Sequence, residues 1–505
     1  MSGTALHGQD DNQTKMGWNM ALSKAIGHWI GGEWTSDGEP RNSIDPATGA
    51  VIATYFDGTA ATAQAGIDAA NSAFRNSGWH NDSYLRATAL SRLADAFEQH
   101  LEGVIATLCS ENGKVRYEAT FEASLIPRAF RFAAGLAMHN FGRVMETRPG
   151  KQSMSIREPI GVAGLIIPWN SPAYLCVRAL APAMAAGCAS VVKMPHLAAQ
   201  TSAMLCKIIE TIDEIPAGIV NFFVESGAEG AKLLVDSPDV PVISFTGSTQ
   251  TGRAIAQAGA KHLKRVGLEL GGKTPHLIFD DADIESVLPV LEKSCTVFAG
   301  QFCMTGSRIL VQRGIAAQVR DRLAERFRAV RVGPATSSDS DMGPLIDKAA
   351  VARVDLAVES AIAAGARPIV RGGIPSDEAL AKGAYYLPTL LELDDQTLPI
   401  ARDETFGPVQ TLLAFDTEAE AVALANDSEY GLSACVWSRD IDRPIRVARK
   451  LHAGLISINS WANISVEFEE GGFKSSGAGR LGGLASIEEF LEYKQITQDF
   501  DRHDH

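Results

Sequence analysis

The chain has 505 residues, too many for one compact core, so two or three domains are expected. Its 46% hydrophobic and 21% charged content is that of an ordinary soluble globular protein, and its formal net charge of −14 argues against nucleic acid or an anionic membrane as the main partner. Seven scattered cysteines with no CxxC pair fit neither a disulfide framework nor a zinc site, which points to a reducing compartment and no metal.

In chain order, residues 1–19 are polar and lack the apolar core of a secretory signal; with 499–505 they read as flexible tails of a cytoplasmic protein. The longest apolar stretches, such as 160–167, are too short to span a bilayer. Asp45-Pro46-Ala47-Thr48-Gly49 forms a turn, and apolar residues then recur at helical spacing over 60–137. From there strands are predicted at 162–167, 189–193, 220–224 and 240–245. Helices are predicted between and after them, at 177–186, 199–213, 228–235 and 249–260. This alternation makes the chain α/β with a parallel, doubly wound sheet, whose ligands bind at the carboxyl ends of the strands. Nearly all the polar residues of interest are expected at such ends. A second α/β stretch runs from 269 to about 478, with strands near 308–311 and 455–459 and no low-complexity linker before it. The run 490–496 is strand-like and close to the terminus, where an apolar edge needs a cover.

Two short segments carry the chemistry. One is Leu268-Glu269-Leu270-Gly271-Gly272-Lys273; the other is Gly300-Gln301-Phe302-Cys303-Met304-Thr305-Gly306-Ser307-Arg308. A thiolate at Cys303 can attack an aldehyde carbon, and a carboxylate at Glu269 can activate the water that later releases the acyl group. Asn170, just past a predicted strand end in Pro168-Trp169-Asn170-Ser171-Pro172, offers an amide donor for the oxyanion formed on attack. Phe245-Thr246-Gly247-Ser248-Thr249 closes a strand and opens a helix, which aims backbone N–H groups at an anion such as a pyrophosphate.

In this order and spacing the segments resemble the aldehyde dehydrogenase superfamily. Further matches run from Ile30-Gly31-Gly32-Glu33-Trp34 to Tyr493-Lys494-Gln495-Ile496 and cover nearly the whole chain. The resemblance implies two doubly wound α/β domains, one for cofactor and one for catalysis, plus a small β arm that joins subunits. Residues 20–137 and 158–268 would be the dinucleotide-binding domain, 269–478 the catalytic domain, and 138–157 with 479–498 the arm of a homodimer or homotetramer. It implies catalytic roles for Cys303, Glu269, Asn170 and Lys193. It implies cofactor contacts from Ile167, Pro168, Trp169, Lys193, His196, Gly247, Ser248, Leu270, Glu404 and Phe406. Family members commonly carry a glutamate where His196 stands; a histidine does not repel a 2′-phosphate, so NAD is expected with NADP possible. Many relatives also carry a glutamate at the position of Leu481, so Glu269 would act with less support here. Because Glu269 is present, hydrolysis to a carboxylic acid is favoured over transfer to coenzyme A, and retention of both thiol and base speaks against a non-enzymatic scaffold.

The substrate is less defined. Tyr174, Arg178, Phe302, Trp461 and Phe468 are candidate contacts. A similar arginine occurs in relatives that oxidise aromatic aldehydes, so Arg178 either faces an anionic or phenolic group or forms a structural salt bridge. Glu467, Glu469 and Glu470 read as a solvated rim, or as a preference for an amino aldehyde. Aromatic, aliphatic and amino aldehydes all stay open.

Overall fold

The computed structural model describes residues 25–500, so the predicted tail over 1–19 lies outside the described residues. At the other end the terminal strand continues to Asp499, one residue into the predicted tail, because it is paired along its length with Lys151–Pro159.

Two large sheets dominate. The first has five parallel strands at its centre, in the spatial order Arg265–Glu269, Val242–Thr246, Val162–Ile166, Ala189–Pro195 and Val220–Glu225. His28–Ile30 and Glu33–Thr35 extend one edge, and Gly477–Ala478 returns antiparallel onto Leu268 and Glu269 at the other. These central strands are buried on both faces, which is why they read as apolar runs rather than alternating ones. The predicted strand at 240–245 begins two residues later, at Val242, since Val240 and Pro241 belong to the turn leading in. The helix predicted at 177–186 begins earlier, at Pro172, where proline suits a first helical turn whose N–H would be unpaired anyway.

The second sheet runs Arg367–Val370, Thr389–Glu392, Val409–Phe415, Arg308–Gln312, Pro275–Ile278, Ser433–Trp437 and Leu455–Ile458, parallel except for its first pair. A three-stranded antiparallel sheet, Leu491–Asp499, Lys151–Pro159 and Arg143–Arg148, stands apart from both. No helix among the described residues is long and apolar enough to cross a membrane, and no group of three His, Cys, Asp or Glu among them is placed to hold a metal ion.

In the first sheet the strand order reverses at Val162–Ile166, whose successor in sequence lies on one side and Val242–Thr246 on the other. That reversal opens a crevice at the carboxyl ends. The second sheet meets the crevice the opposite way round. Residues 270–274, 303–307 and 404–408 lead into strands rather than out of them, so Cys303 and Glu404 precede their strands instead of following them. The expectation that nearly all polar residues of interest lie at carboxyl ends therefore holds for Glu269 and Asn170 but not for these two.

Candidate active site

Glu269 is the last residue of its strand, pinned by pairing to Thr246 on one side and Gly477 on the other. The chain then turns through Gly271 and Gly272 into the second sheet. A side-chain carbon at Gly272 would overlap the Cys303 carbonyl, so this glycine is what allows the base-bearing segment to lie on the nucleophile loop. Burial holds the Glu269 carboxyl up at about 7, opposed chiefly by Arg178. Burial likewise pushes the Cys303 thiol up to about 12, again with Arg178 as the main opposing charge. The thiol is therefore protonated at rest, and it would act as a nucleophile only with a base to take its proton.

Asn170 is buried, and its Nδ2 donates to the Gln301 carbonyl at 3.0 Å, two residues before the thiol. An amide nitrogen has two hydrogens, so this bond leaves one donor for an oxyanion beside Cys303. Asn112 Nδ2 donates to the Trp169 carbonyl at 2.7 Å and fixes the turn that presents Asn170.

Three charged residues that the sequence reading passed over brace these loops. Glu118 accepts an N–H from Phe298 at 2.7 Å, and Glu122 accepts from Ala173 and Tyr174 at 2.9 and 3.2 Å. Both carboxylates lie on one face of the helix Arg116–Met138, one turn apart. Lys114, fully buried, pairs with Glu122, reaches the Ser171 hydroxyl at 3.3 Å and sits 4.0 Å over the Phe298 ring. One helix thus holds both the nucleophile loop and the amide loop. The signal was present in the sequence as Lys, Glu and Glu at intervals of four within an apolar helical pattern. The brace also sustains strain: Phe298 and Ala299 both have left-handed backbones, φ 54° and 53°, which non-glycine residues adopt mainly where their surroundings force them.

In the crevice, Ser248 caps the helix Thr249–Gly259 by accepting from Thr251 N–H at 3.2 Å, so the first-turn N–H groups stay directed at the opening. Lys193 and His196 lie together at the end of Ala189–Pro195, both half-buried. Burial lowers the pKa of each, and for His196 the Lys193 charge adds to it, so the imidazole is neutral at pH 7. Phe406, also left-handed at φ 52°, meets Trp169 edge-on at 5.5 Å, and Glu404 accepts the Gly272 N–H at 3.1 Å with its carboxyl raised to about 7 by burial. Ile167 is buried behind Pro168 and Trp169, and Leu270 packs over Gly252. A helix start, a lysine at a strand end and flat hydrophobic walls suit a dinucleotide.

A buried thiol, a buried carboxyl and an amide donor thus gather beside the crevice, and a profile of the aldehyde dehydrogenase family matches residues 34–496. The chain belongs to the aldehyde dehydrogenase family. It is an oxidoreductase acting on aldehydes. It is 37% identical over 479 residues to the 2-aminomuconic semialdehyde dehydrogenase of Danio rerio, covering 93% of this chain and 97% of that one. It is 35% identical over 475 residues to the betaine aldehyde dehydrogenase of Bacillus subtilis (strain 168), with the same coverage. A solved betaine aldehyde dehydrogenase from Staphylococcus aureus, in complex with NAD+, superposes with a TM-score of 0.93 at 33% identity, over 95% of this chain and 96% of that one.

On the substrate side of this aldehyde dehydrogenase, Arg178 takes the second of its two expected roles, a salt bridge, and Glu470 departs from the expected solvated rim. Arg178 is not free to meet a substrate anion: its guanidinium pairs with Glu470 at 2.7 Å, each side chain only 9% exposed, and reaches the Thr246 hydroxyl at 3.5 Å. Glu470 is accordingly not part of a solvated rim, although Glu467 and Glu469 are exposed. Its main chain pairs with Leu481, which turns its side chain inward. Tyr174 is buried against the first core and, with Val177 and Arg178, lines a small pocket apart from the aromatic cavity, and Phe468 is 71% exposed. Phe302 and Trp461 do line a cavity of about 210 Å³, together with Tyr117, Phe121, Phe298 and Ile464. Phe302 stands edge-on to both Phe298 and Trp461, and the Trp461 Nε1–H donates to the Met304 carbonyl at 2.9 Å, which ties this wall to the residue after the nucleophile.

Proposed function

We propose that the enzyme oxidises an aldehyde to its carboxylic acid through a Cys303 thiohemiacetal and thioester, with Glu269 as the base. The observation that carries this reading is the seating of the Glu269 segment on the Cys303 main chain through Gly272, with Asn170 beside it. Glu269 takes the thiol proton, Cys303 adds to the carbonyl carbon, and the oxyanion accepts from Asn170 and the Cys303 N–H, at about 3 kcal/mol of transition-state stabilisation per donor. A bound nicotinamide supplies the hydride acceptor. Once the thioester has formed, Glu269 releases the thiol proton to solvent, and as a carboxylate it then removes a proton from the water that cleaves the thioester. Lys193, His196, Ser248, Glu404 and Phe406 are the residues that would hold the dinucleotide. NAD is favoured by the NAD+ complex of the Staphylococcus relative, and NADP is tolerated because a neutral histidine, not a carboxylate, stands at position 196.

For the substrate we favour a ring-bearing, uncharged or anionic aldehyde. Its support is the aromatic cavity lined by Phe302, the residue before Cys303; of its lining lysine and glutamate, Lys293 is exposed and 5.0 Å over the Tyr117 ring, whereas Glu118 is buried with its carboxyl pushed up to about 7. A second reading, a cationic amino aldehyde, is favoured by the same aromatic walls, whose faces attract cations. Absorbance at 340 nm over benzaldehyde, hexanal and betaine aldehyde, with each dinucleotide and with or without coenzyme A, separates them. Cys303→Ala should abolish turnover and leave dinucleotide binding intact; retained activity would remove the thiol from the reaction. The three-stranded sheet exposes Val144, Met145, Tyr493 and Ile496, which supports assembly of two or four copies through it. Light scattering giving a monomer mass would refute that.

A further inference from the structure

Glu489 is a carboxylate that the reaction above does not use. It lies on the short helical segment Leu484–Phe490, just before the terminal strand. Its Oε1 accepts the Arg480 N–H at 3.2 Å, while its Oε2 is buried and has no hydrogen-bond partner. Two glycines make its seat. A side-chain carbon at Gly267 would overlap Oε2, and one at Gly479 would overlap Oε1. Gly267 lies on the strand Arg265–Glu269, two residues before Glu269, and residues two apart on a strand project to the same face. The Glu489 carboxylate therefore occupies the place where a side chain at 267 would stand, next in line to Glu269 and about 7 Å along the strand.

We propose that Glu489 is a positioning residue that receives the proton from Glu269 after thioester hydrolysis and passes it to solvent. The inference rests on Glu269 being the base. In the hydrolytic step a C–O bond forms from water to the acyl carbon, the C–S bond breaks, the Cys303 thiolate leaves and Glu269 gains the water proton. That proton must depart before Glu269 can act again. A separation of about 7 Å along the strand is one that a short chain of one or two waters spans, and the unpartnered Oε2 is the acceptor at its far end. Glu269 also faces Arg178, Glu470 and Arg480, and Glu489 faces Arg265 and Arg480. Arg178 and Glu470 are committed to each other, whereas Arg265 is 35% exposed at the surface, so Glu489 stands on the outward side. Burial raises both Glu269 and Glu489 to about 7, so both carboxyls can hold and give up a proton near neutral pH.

The test is hydrolysis of p-nitrophenyl acetate by the full chain, where the nitrophenolate burst reports acylation and the steady rate reports deacylation. Glu489→Gln should keep the burst within twofold and lower the steady rate at least tenfold between pH 6 and 8, with the wild-type dependence on a group near 7 altered. Glu489→Asp should recover part of the rate. Gly267→Ala should reproduce the slow phase by pushing the carboxylate from its seat, and serves if Glu489→Gln fails to fold. A wild-type steady rate and pH profile in a folded Glu489→Gln, or equal loss of burst and steady rate, overturns the proposal. Glu269→Gln run alongside separates the failures: if it also leaves deacylation unchanged, the assignment of the base has failed rather than the relay alone.

Discussion

The crevice at the first sheet's strand ends and the aromatic cavity are built by different means. The crevice takes its shape from main chain: a reversal of strand order, a helix start at Ser248 and short turns after Ile166 and Pro195. The cavity takes its shape from side chains delivered by three separate stretches, around Tyr117, Phe298 and Trp461. Main-chain geometry of that kind tolerates many side-chain changes and serves a ligand of fixed form. A wall of side chains is re-cut by each substitution and serves a ligand that differs between relatives. Cys303, Glu269 and Asn170 stand where the two regions meet.

The largest effect should come at that junction. Glu269→Gln should slow turnover by at least 100-fold and let a covalent acyl adduct accumulate, visible by intact mass; unchanged turnover would remove Glu269 from hydrolysis. In the wild type the carboxyl near 7 is protonated and inactive below that pH and a base above it, so kcat should rise through about pH 7 and then level. A flat profile from pH 5 to 9 would contradict this sign.

Next in size is the bond between the regions. Arg178→Met leaves Glu470 buried without its partner and should destabilise the protein by about 3–5 kcal/mol, read as a lower Tm. Adding Glu470→Gln should restore much of the loss. If instead Arg178→Met leaves Tm unchanged and selectively spoils phenolic aldehydes, the pair is not what holds the arginine.

A smaller effect tests the crevice alone. His196→Glu should raise the NAD/NADP ratio of kcat/KM by on the order of 1–3 kcal/mol, because a carboxylate facing a 2′-phosphate is repelled. A wild type that already refuses NADP would show that another residue excludes the phosphate. The smallest effect tests the cavity alone. Trp461→Ala should cost about 1 kcal/mol for benzaldehyde and much less for acetaldehyde, since only the former loses ring contact. Equal losses would mean that the bond from Trp461 to Met304 matters more than the wall.

The chain disclosed its crevice more readily than its cavity, and the reason is range. The strand from Val162, the helix start at Ser248 and the segments around Glu269 and Cys303 each depend on neighbours in sequence, so composition and spacing reveal them. The Arg178–Glu470 pair joins residues 292 apart, and no local pattern announces it. The exposure of Phe468 and the burial of Tyr174 were not legible either: an aromatic in a loop or a helix does not declare which side it faces. Glu118 and Glu122 are intermediate. Their four-residue interval marks one helix face, but only the packed structure shows that this face is turned inward.

That face has a consequence for how the protein comes to life. The bond from Glu118 to Phe298 joins residues 180 apart, and those from Glu122 reach 51 and 52 residues onward. Until the long helix, the first sheet and the nucleophile loop have met, nothing holds Phe298 and Ala299 in their strained backbone. A refolding chain should thus regain its helical signal well before its thiol becomes reactive, with competence arriving among the last events of folding.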